Sequence, residues 1–296
     1  MTTINIGIVG NGFVGKATSL FAGDFVNVLV YDIDENKCVP LGTTVQDITK
    51  VSDIIFVCVP TPVTLRGNCY VDSVEQVVAS LKCCHPKGSI VIRSTVPPGT
   101  CARLQVHHMP EFLREQSWEY DFRMCDKWIV GQWCFTDDLF RLRIAQLLAH
   151  ATRDGQIKSN EIFWGTSDET ELAKYARNAF LATKLSFMNE IEEFARLKGI
   201  NYSNVRELIG IDERIGWSHT QVPGSDGNRG FGGTCLPKDL AVLKHEMDNI
   251  GSHPIISTAV LERNNTIDRP RKDWENLIGR SIVGRVEKNE NVVQDN

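Results

Sequence analysis

The sequence predicts an α/β protein: a doubly wound parallel sheet followed by a mainly helical central domain built on one long helix. Three observations carry this prediction. Short β-rich apolar runs alternate with helical stretches across the first 165 residues. A glycine-rich turn, Gly10-Asn-Gly12-Phe-Val-Gly15, directly follows the first of those runs. Beyond residue 165 the strand signal stops, and a three-to-four-residue apolar spacing runs on to Gly199.

The expected strands are 4–9, 26–31, 53–59, 89–93, 127–130 and 161–164. Their apolar runs are mostly continuous, as in Ile54-Ile-Phe-Val57, which suits parallel strands buried on both faces. Helices are expected at about 13–22, 73–82 and 137–150. Thr166-Ser-Asp-Glu169 has the form of a capping box, with a Thr cap and a Glu three positions on. The helix it opens carries Leu172, Ala176, Ala179, Thr183, Phe187, Ile191 and Phe194 on one face and ends near Gly199. At 1.5 Å per residue it spans roughly 45 Å, the length of a domain linker or a dimer axis. Its apolar face exceeds what one small helical domain covers, so a homodimer is expected. Shorter helices follow at 203–209 and 237–247, separated by a glycine-rich loop. The domains read as 1–165 for the nucleotide-binding sheet, 166–262 for the helical catalytic and dimerisation part, and 263–296 for a C-terminal tail. The end of that tail, 286–296, is polar and expected to fray.

Composition narrows the function classes. The chain has 296 residues, 32 basic against 37 acidic, and a net charge of -5. That balance offers no basic face for nucleic acid or an anionic membrane. No apolar run reaches the roughly 18 residues of a membrane-spanning helix, and the first residues lack a signal-peptide pattern. A cytoplasmic protein is expected. Nine cysteines make an odd number without CxxC spacing, so neither a disulfide framework nor zinc or another metal is expected. Eight read as buried reduced thiols; Cys235 stands apart.

In the glycine turn, Gly10 permits the tight bend, Gly12 lets backbone approach a pyrophosphate, and Gly15 allows close packing of helix on strand, a Rossmann-type fingerprint. Asp32 ends the next strand. A carboxylate there binds ribose hydroxyls and repels a 2′-phosphate, which predicts NAD rather than NADP. Lys37 is placed to hold the adenosine end or simply to be solvated.

Four further segments bear chemistry. Ser94-Thr-Val-Pro-Pro-Gly-Thr100 follows the fourth strand, which puts Thr95 in the ligand zone beyond the strand ends. Pro110-Glu-Phe-Leu-Arg-Glu115 sets Glu111 in an apolar context suited to a general base or, equally, to a helix start. Lys174 and Asn178 share a helical face at i and i+4. That pairing suits an oxyanion, although both residue types are commonly surface groups. In Gly230-Phe-Gly-Gly-Thr-Cys-Leu-Pro-Lys-Asp239, Cys235 sits where a glycine-rich loop enters a helix. Exposed N–H groups and Lys238 would stabilise a thiolate there, and Asp239 would order a water or act as a base. By residue type alone, a buried cysteine is the commoner role.

Together and in this order, these segments resemble the UDP-glucose/GDP-mannose dehydrogenase family over roughly residues 3–285. His219–Gly227 and Asp212–Gly216 add to the likeness. The resemblance implies an NAD-dependent four-electron oxidation of a nucleotide sugar at C6, with UDP-glucose the leading substrate. The alternatives are another sugar nucleotide (UDP-N-acetylmannosamine or GDP-mannose) and a non-catalytic NAD-binding subunit. It implies Cys235 as the nucleophile that forms a thiohemiacetal and then a thioester. Lys174 and Asn178 would stabilise oxyanions, Asp239 with Thr95 would position a water, and Glu111 would be the general base. NAD would contact Gly10, Gly12, Phe13, Val14, Gly15, Asp32, Lys37, Pro60, Thr61, Thr95 and Lys238. The sugar nucleotide would contact Phe112, Leu113, Glu115, Lys174, Asn178, Phe231 and Gly232, and Arg214 would reach it across a subunit interface. Met109 and Gln116 depart from the family pattern on either side of Glu111–Glu115. Leu277–Val283 resembles the first strand of a third, uridine-diphosphate-binding domain.

Overall fold

The computed structural model describes residues 2–284, and among these seven strands form one sheet. The strands are β1 (Ile4–Val9), β2 (Val26–Tyr31), β3 (Ile54–Val57), β4 (Ser89–Ile92), β5 (His107–His108), β6 (Trp128–Gln132) and β7 (Ile162–Thr166), in the spatial order β2-β1-β3-β4-β5-β6-β7. Neighbours pair in parallel except β5 and β6, which meet antiparallel at His108 and Gly131. Helices α1 (Phe13–Ser19), α2 (Val45–Val51), α3 (Asp72–Cys83), α4 (Thr100–Leu104), α5 (Trp118–Arg123) and α6 (Asp138–Arg153) connect them. From β1 the chain goes to β2 on one side and then to β3 on the other. The strand order therefore reverses between β1 and β3, and a crevice opens beyond their carboxyl ends.

The continuous apolar runs have their explanation in β3. Ile54 and Phe56 face a cluster with Phe21, Trp128 and Phe140, while Ile55 and Val57 face Ile48, Val74 and Val78 on the opposite side. All four β3 side chains are fully buried. The run was expected to stay in the strand to residue 59, but β3 ends at Val57; Cys58 N still donates to Val9 O at 2.8 Å, and Cys58 and Val59 line the crevice. β5 escapes the sequence pattern because two histidines carry no strand signal; tertiary pairing with β4 and β6 makes it a strand.

α7 (Ser167–Lys198) begins and ends as its caps dictate. Thr166 Oγ1 accepts from Glu169 N at 3.1 Å, and Glu169 Oε2 accepts from Thr166 N at 2.7 Å. Gly199 closes the helix with φ of 70°. The inward face of α7 requires a correction. Of the seven residues on the expected apolar stripe, Ala179 alone is buried, and Leu172, Phe187 and Phe194 are exposed. The buried face instead carries Glu171, Lys174, Tyr175, Asn178, Ala182 and Asn189. Hydrophobic periodicity locates the outward face here because the inward face holds the polar groups of the site.

After α7 come α8 (Tyr202–Gly210), α9 (Leu236–Asn249) and α10 (Ile255–Arg263). Ala179, Ala182, Phe231, Leu240 and Val260 form the core joining α7, α9 and α10. Residues 277–283 form a turn lying against Val63. Val63 N donates to Ser281 O and Val283 N to Val63 O, both at 2.9 Å. The expected fraying at 286–296 lies outside the described residues. All nine cysteines are free thiols, but only Cys38, Cys58 and Cys101 are buried, and Cys83 is exposed. No described helix is long and apolar enough to cross a membrane.

Candidate active site

The crevice at the β1/β3 reversal is a cavity of about 270 Å³. Its walls bring together Gly12, Phe13 and Val14 from the glycine turn, Pro60 and Thr61 after β3, and Thr95 after β4. Glu111, Glu115, Cys235 and Lys238 line it too, whereas Lys174, Asn178 and Asp239, also singled out by the sequence, are not in the lining. Segments more than 200 residues apart therefore share one chamber, as the numbering of Gly12 and Cys235 shows.

The nucleotide wall matches the roles expected of its glycines. Gly10 has φ of 96°, and a Cβ there would lie 2.9 Å from Cys58 O. A Cβ on Gly15 would lie 2.0 Å from Gly10 O, so the α1 helix packs against the turn only without a side chain. Gly12 faces open space, with nothing within 4 Å of a Cβ, which leaves room for a ligand phosphate at the backbone. Asp32 Oδ2 accepts from Asn11 N at 2.6 Å, which fixes the carboxylate beside the turn. Lys37 sends its side chain to Asp34 at 3.2 Å, while its carbonyl accepts from the Asn11 amide at 2.6 Å. Thr61 Oγ1 donates to Thr95 O at 2.7 Å and ties the loops after β3 and β4 together. These features, an open backbone at Gly12 and a carboxylate fixed beside the turn, fit a dinucleotide.

On the chemical wall, α7 projects Lys174 and Asn178 from adjacent turns, both buried. Lys174 Nζ donates to Glu111 Oε1 at 2.9 Å and to Glu111 O at 2.6 Å. Asn178 Nδ2 donates to Asp239 Oδ2 at 2.5 Å, and Lys238 Nζ donates to Asp239 Oδ1 at 2.5 Å. Glu111 Oε2 also accepts from Leu113 N at 2.6 Å. Two buried ion pairs thus flank Cys235, which caps α9 with its sulfur 3.5 Å from Thr234 Oγ1.

This pairing alters the electrostatics expected at the thiol. Burial pushes the Cys235 thiol up, Glu111 and Asp239 push it further, and Lys174 and Lys238 only partly offset them. Each lysine already has a carboxylate partner, so little net positive charge reaches the sulfur. The free protein therefore holds a protonated thiol rather than a preformed thiolate. Lys174 is held charged: burial alone would lower its pKa, but the carboxylates of Glu111 and Asp239 raise it.

The loop before Cys235 is held by residues that carried no sequence signal. Asn264 Nδ2 donates to Phe231 O at 3.0 Å, and Phe231 N donates to Asn264 Oδ1 at 2.9 Å. A Cβ on Gly232 would lie 2.6 Å from the Arg269 guanidinium carbon, and Asp226 and Asp273 hold that guanidinium. Glu171 is fully buried and accepts from Gly99 N at 2.7 Å and Cys101 N at 2.8 Å, clamping the loop that carries Thr95.

Of the eight expected substrate contacts only Glu115 lines the cavity, and Phe112, Leu113, Phe231 and Arg214 are engaged elsewhere. The Phe112 ring sits 3.6 Å from the Arg177 guanidinium and 5.2 Å from Lys174 Nζ. Leu113 packs on the core beside Phe122 and Trp128, and Phe231 is a core residue, 2% exposed. Arg214 is 89% exposed and binds Asp212, a near neighbour on its own loop. Conversely, Arg93, Thr234 and Arg280 line the cavity without having been singled out.

A doubly wound sheet whose glycine turn opens onto a thiol flanked by lysines and carboxylates is the build of a nucleotide-dependent oxidoreductase. Comparison with known proteins gives the family. The NAD-binding domain of the UDP-glucose/GDP-mannose dehydrogenase family matches residues 39–136, and its central domain matches residues 168–266. The UDP-glucose 6-dehydrogenase of Rickettsia typhi is 30% identical over 88% of this chain and 67% of its own length. That of Campylobacter jejuni is 30% identical over 88% of this chain and 72% of its own. A solved UDP-glucose dehydrogenase from Pyrobaculum islandicum superposes with a TM-score of 0.75 at 27% identity, over 89% of this chain and 68% of that one. The chain belongs to the UDP-glucose/GDP-mannose dehydrogenase family, and its cofactor is NAD.

Proposed function

We propose that the chain oxidises a nucleotide sugar twice at C6, with UDP-glucose to UDP-glucuronate the leading reaction. The observation that carries this reading is the opening of Cys235 and the glycine turn into one cavity, with Glu111 and Lys238 also in its lining.

NAD, when bound, supplies the hydride acceptor for both oxidations, so two NAD are reduced per sugar. In the first oxidation the C6 hydroxyl proton leaves through a water held by Asp239 and Thr95, giving the aldehyde. The Cys235 sulfur then adds to that carbon and the thiol proton passes to the aldehyde oxygen, giving a thiohemiacetal that keeps the aldehyde in place. Lys174 and Asn178 stabilise the developing oxyanion. Loss of the second hydride and the hydroxyl proton leaves a thioester on Cys235. Glu111 then takes a proton from water attacking the acyl carbon, the carboxylate forms, and the sulfur regains its proton. Purified protein is expected to yield two NADH per UDP-glucose, and Cys235→Ser to stall. One NADH per turnover, or an unaffected variant, overturns the reading.

The second reading is another sugar nucleotide with the same residues. The fold is shared with a UDP-D-ManNAc dehydrogenase from Pyrococcus horikoshii at 21% identity and a TM-score of 0.68. A panel of UDP-glucose, UDP-N-acetylmannosamine and GDP-mannose decides between them. NAD binding without binding of any sugar nucleotide would instead mark a non-catalytic subunit.

We further propose that two copies pair through the outward face of α7, in a homodimer that gives exposed Arg214 a neighbouring site to reach. Nine free thiols suit a reducing compartment, which supports the cytoplasm as its location.

A further inference from the structure

We infer that Arg280 binds the diphosphate of the sugar nucleotide, exchanging its partner Glu115 for phosphate when substrate enters. This deepens the proposed function and rests on it.

Arg280 stands on a fixed base. Its turn is held to Val63 by the two 2.9 Å backbone bonds, Ser281 is fully buried, and Ile282 packs with Val63, Tyr175 and Val242. The guanidinium reaches from that base to the cavity and pairs with Glu115 Oε1. The other oxygen of Glu115 accepts from Thr234 Oγ1 at 3.2 Å, and Thr234 adjoins Cys235. Arg280 is thus tied to the thiol side of the chamber.

The cavity's other described cations, Lys238 and Arg93, are buried where Arg280 is open to water. Lys238 is held by buried Asp239 at 2.5 Å. Arg93 is 2% exposed and lies 5.8 Å from the Phe56 ring centroid, sunk into the core. The side chains of Arg280 and Glu115 are 48% and 41% exposed, and an ion pair so open to water is weakly held. A guanidinium fork matches a phosphate through two parallel hydrogen bonds, a stronger arrangement. With the reacting carbon at the Cys235 sulfur, the diphosphate of a sugar nucleotide lies one hexose ring away. Arg280 is joined to the residue beside the thiol through Glu115 and Thr234. The NAD diphosphate has its own cradle at Gly10–Gly15, so the two sources of the same chemistry are separable.

Calorimetric titration of UDP-glucose, and separately of NAD, into wild type, Arg280→Met and Arg280→Lys tests this. Arg280→Met is expected to weaken UDP-glucose about tenfold or more, the loss of a charge-assisted pair, and to leave NAD unchanged. Arg280→Lys should recover part of the loss. Unchanged UDP-glucose affinity in Arg280→Met overturns the assignment. A loss confined to NAD overturns it too, because the cofactor is then the ligand. Equal loss of both ligands with a lowered melting temperature shows a structural role and also overturns it. Wild type that binds no sugar nucleotide sinks the proposed function itself, a result distinct from the others.

Discussion

Lys174 and Glu111 form a buried pair in which one ammonium holds both the carboxylate and the backbone carbonyl of the same residue, at 2.9 and 2.6 Å. The side chains are 3% and 5% exposed, so neither charge is free to exchange its partner for bulk water. Removing one member leaves the other buried and uncompensated. Lys174→Ala is therefore expected to cost about 3–5 kcal/mol of stability, read as a lowered urea midpoint. Glu111→Gln keeps an acceptor for the lysine and should cost less. If Glu111 is the base for hydrolysis, that variant accumulates an acyl adduct on Cys235, visible by intact-mass measurement. No adduct with UDP-glucose and NAD present would remove Glu111 from that role.

The thiol makes a pH prediction. Burial raises Cys235, with Glu111 and Asp239 adding to the effect. A raised thiol pKa means a smaller thiolate fraction at neutral pH. Alkylation of Cys235 by iodoacetamide should keep accelerating as pH climbs past the ordinary thiol value of 9.0. Glu111→Gln should move the midpoint down, since the carboxylate that opposed ionisation is gone. A wild-type midpoint below the ordinary value would contradict this account.

Glu171 makes a second pH prediction, on stability. Burial lifts its carboxyl from 4.5 to about 7 against the opposing pull of its hydrogen bonds from Cys101 and Gly99. Between those values the folded protein keeps a proton that the unfolded chain has lost. Stability should therefore decline as pH rises through that window, and Glu171→Gln should flatten the decline. Urea titrations at a series of pH values read the slope; an identical slope in the variant removes Glu171 as its source.

Asp32 tests the cofactor wall. Its carboxylate accepts from Asn11 N at 2.6 Å and from Asp34 N at 2.9 Å, so it stands fixed beside the glycine turn. Asp32→Ala is expected to weaken NAD about tenfold, from the lost ribose hydrogen bond, and to narrow the preference over NADP. Fluorescence titration with both cofactors checks it; an unchanged ratio of affinities would assign the carboxylate to the turn alone.

The sheet and both ends of α7 were legible because their signals are local. A β-rich run, a Thr–Glu capping box and a terminal glycine each act within a few residues. The cavity lining was legible where motif residues supply it, as with Gly12, Glu111 and Cys235. It was illegible where a distant segment supplies the group. Arg280, Asn264 and Arg269 act through chain folding back on itself, and no spacing rule connects Asn264 with Phe231. The inward face of α7 was misread because buried Glu171, Lys174 and Asn178 look like solvent-facing residues until their partners are in place.

That outward face makes the last prediction. Phe180, Phe187 and Phe194 recur at seven-residue intervals along α7 and are 68%, 54% and 57% exposed, with Leu172, 49% exposed, about two turns before Phe180. A seven-residue repeat keeps large side chains on one seam of a helix, the geometry that two helices use to pack along each other. Scattered exposed apolar residues are ordinary, but a row of aligned phenylalanines is a patch that water disfavours. The intact protein is expected to scatter light as a dimer. Phe187→Asp places a charge at the middle of the seam and should give a monomer that still binds NAD, because the glycine turn and Asp32 lie in the other domain. If the contact also brings Arg214 to a neighbouring site, the monomer should lose affinity for the sugar nucleotide and keep it for NAD. A wild-type monomer at working concentration, or a dimer undisturbed by Phe187→Asp, would rule out this face as the interface.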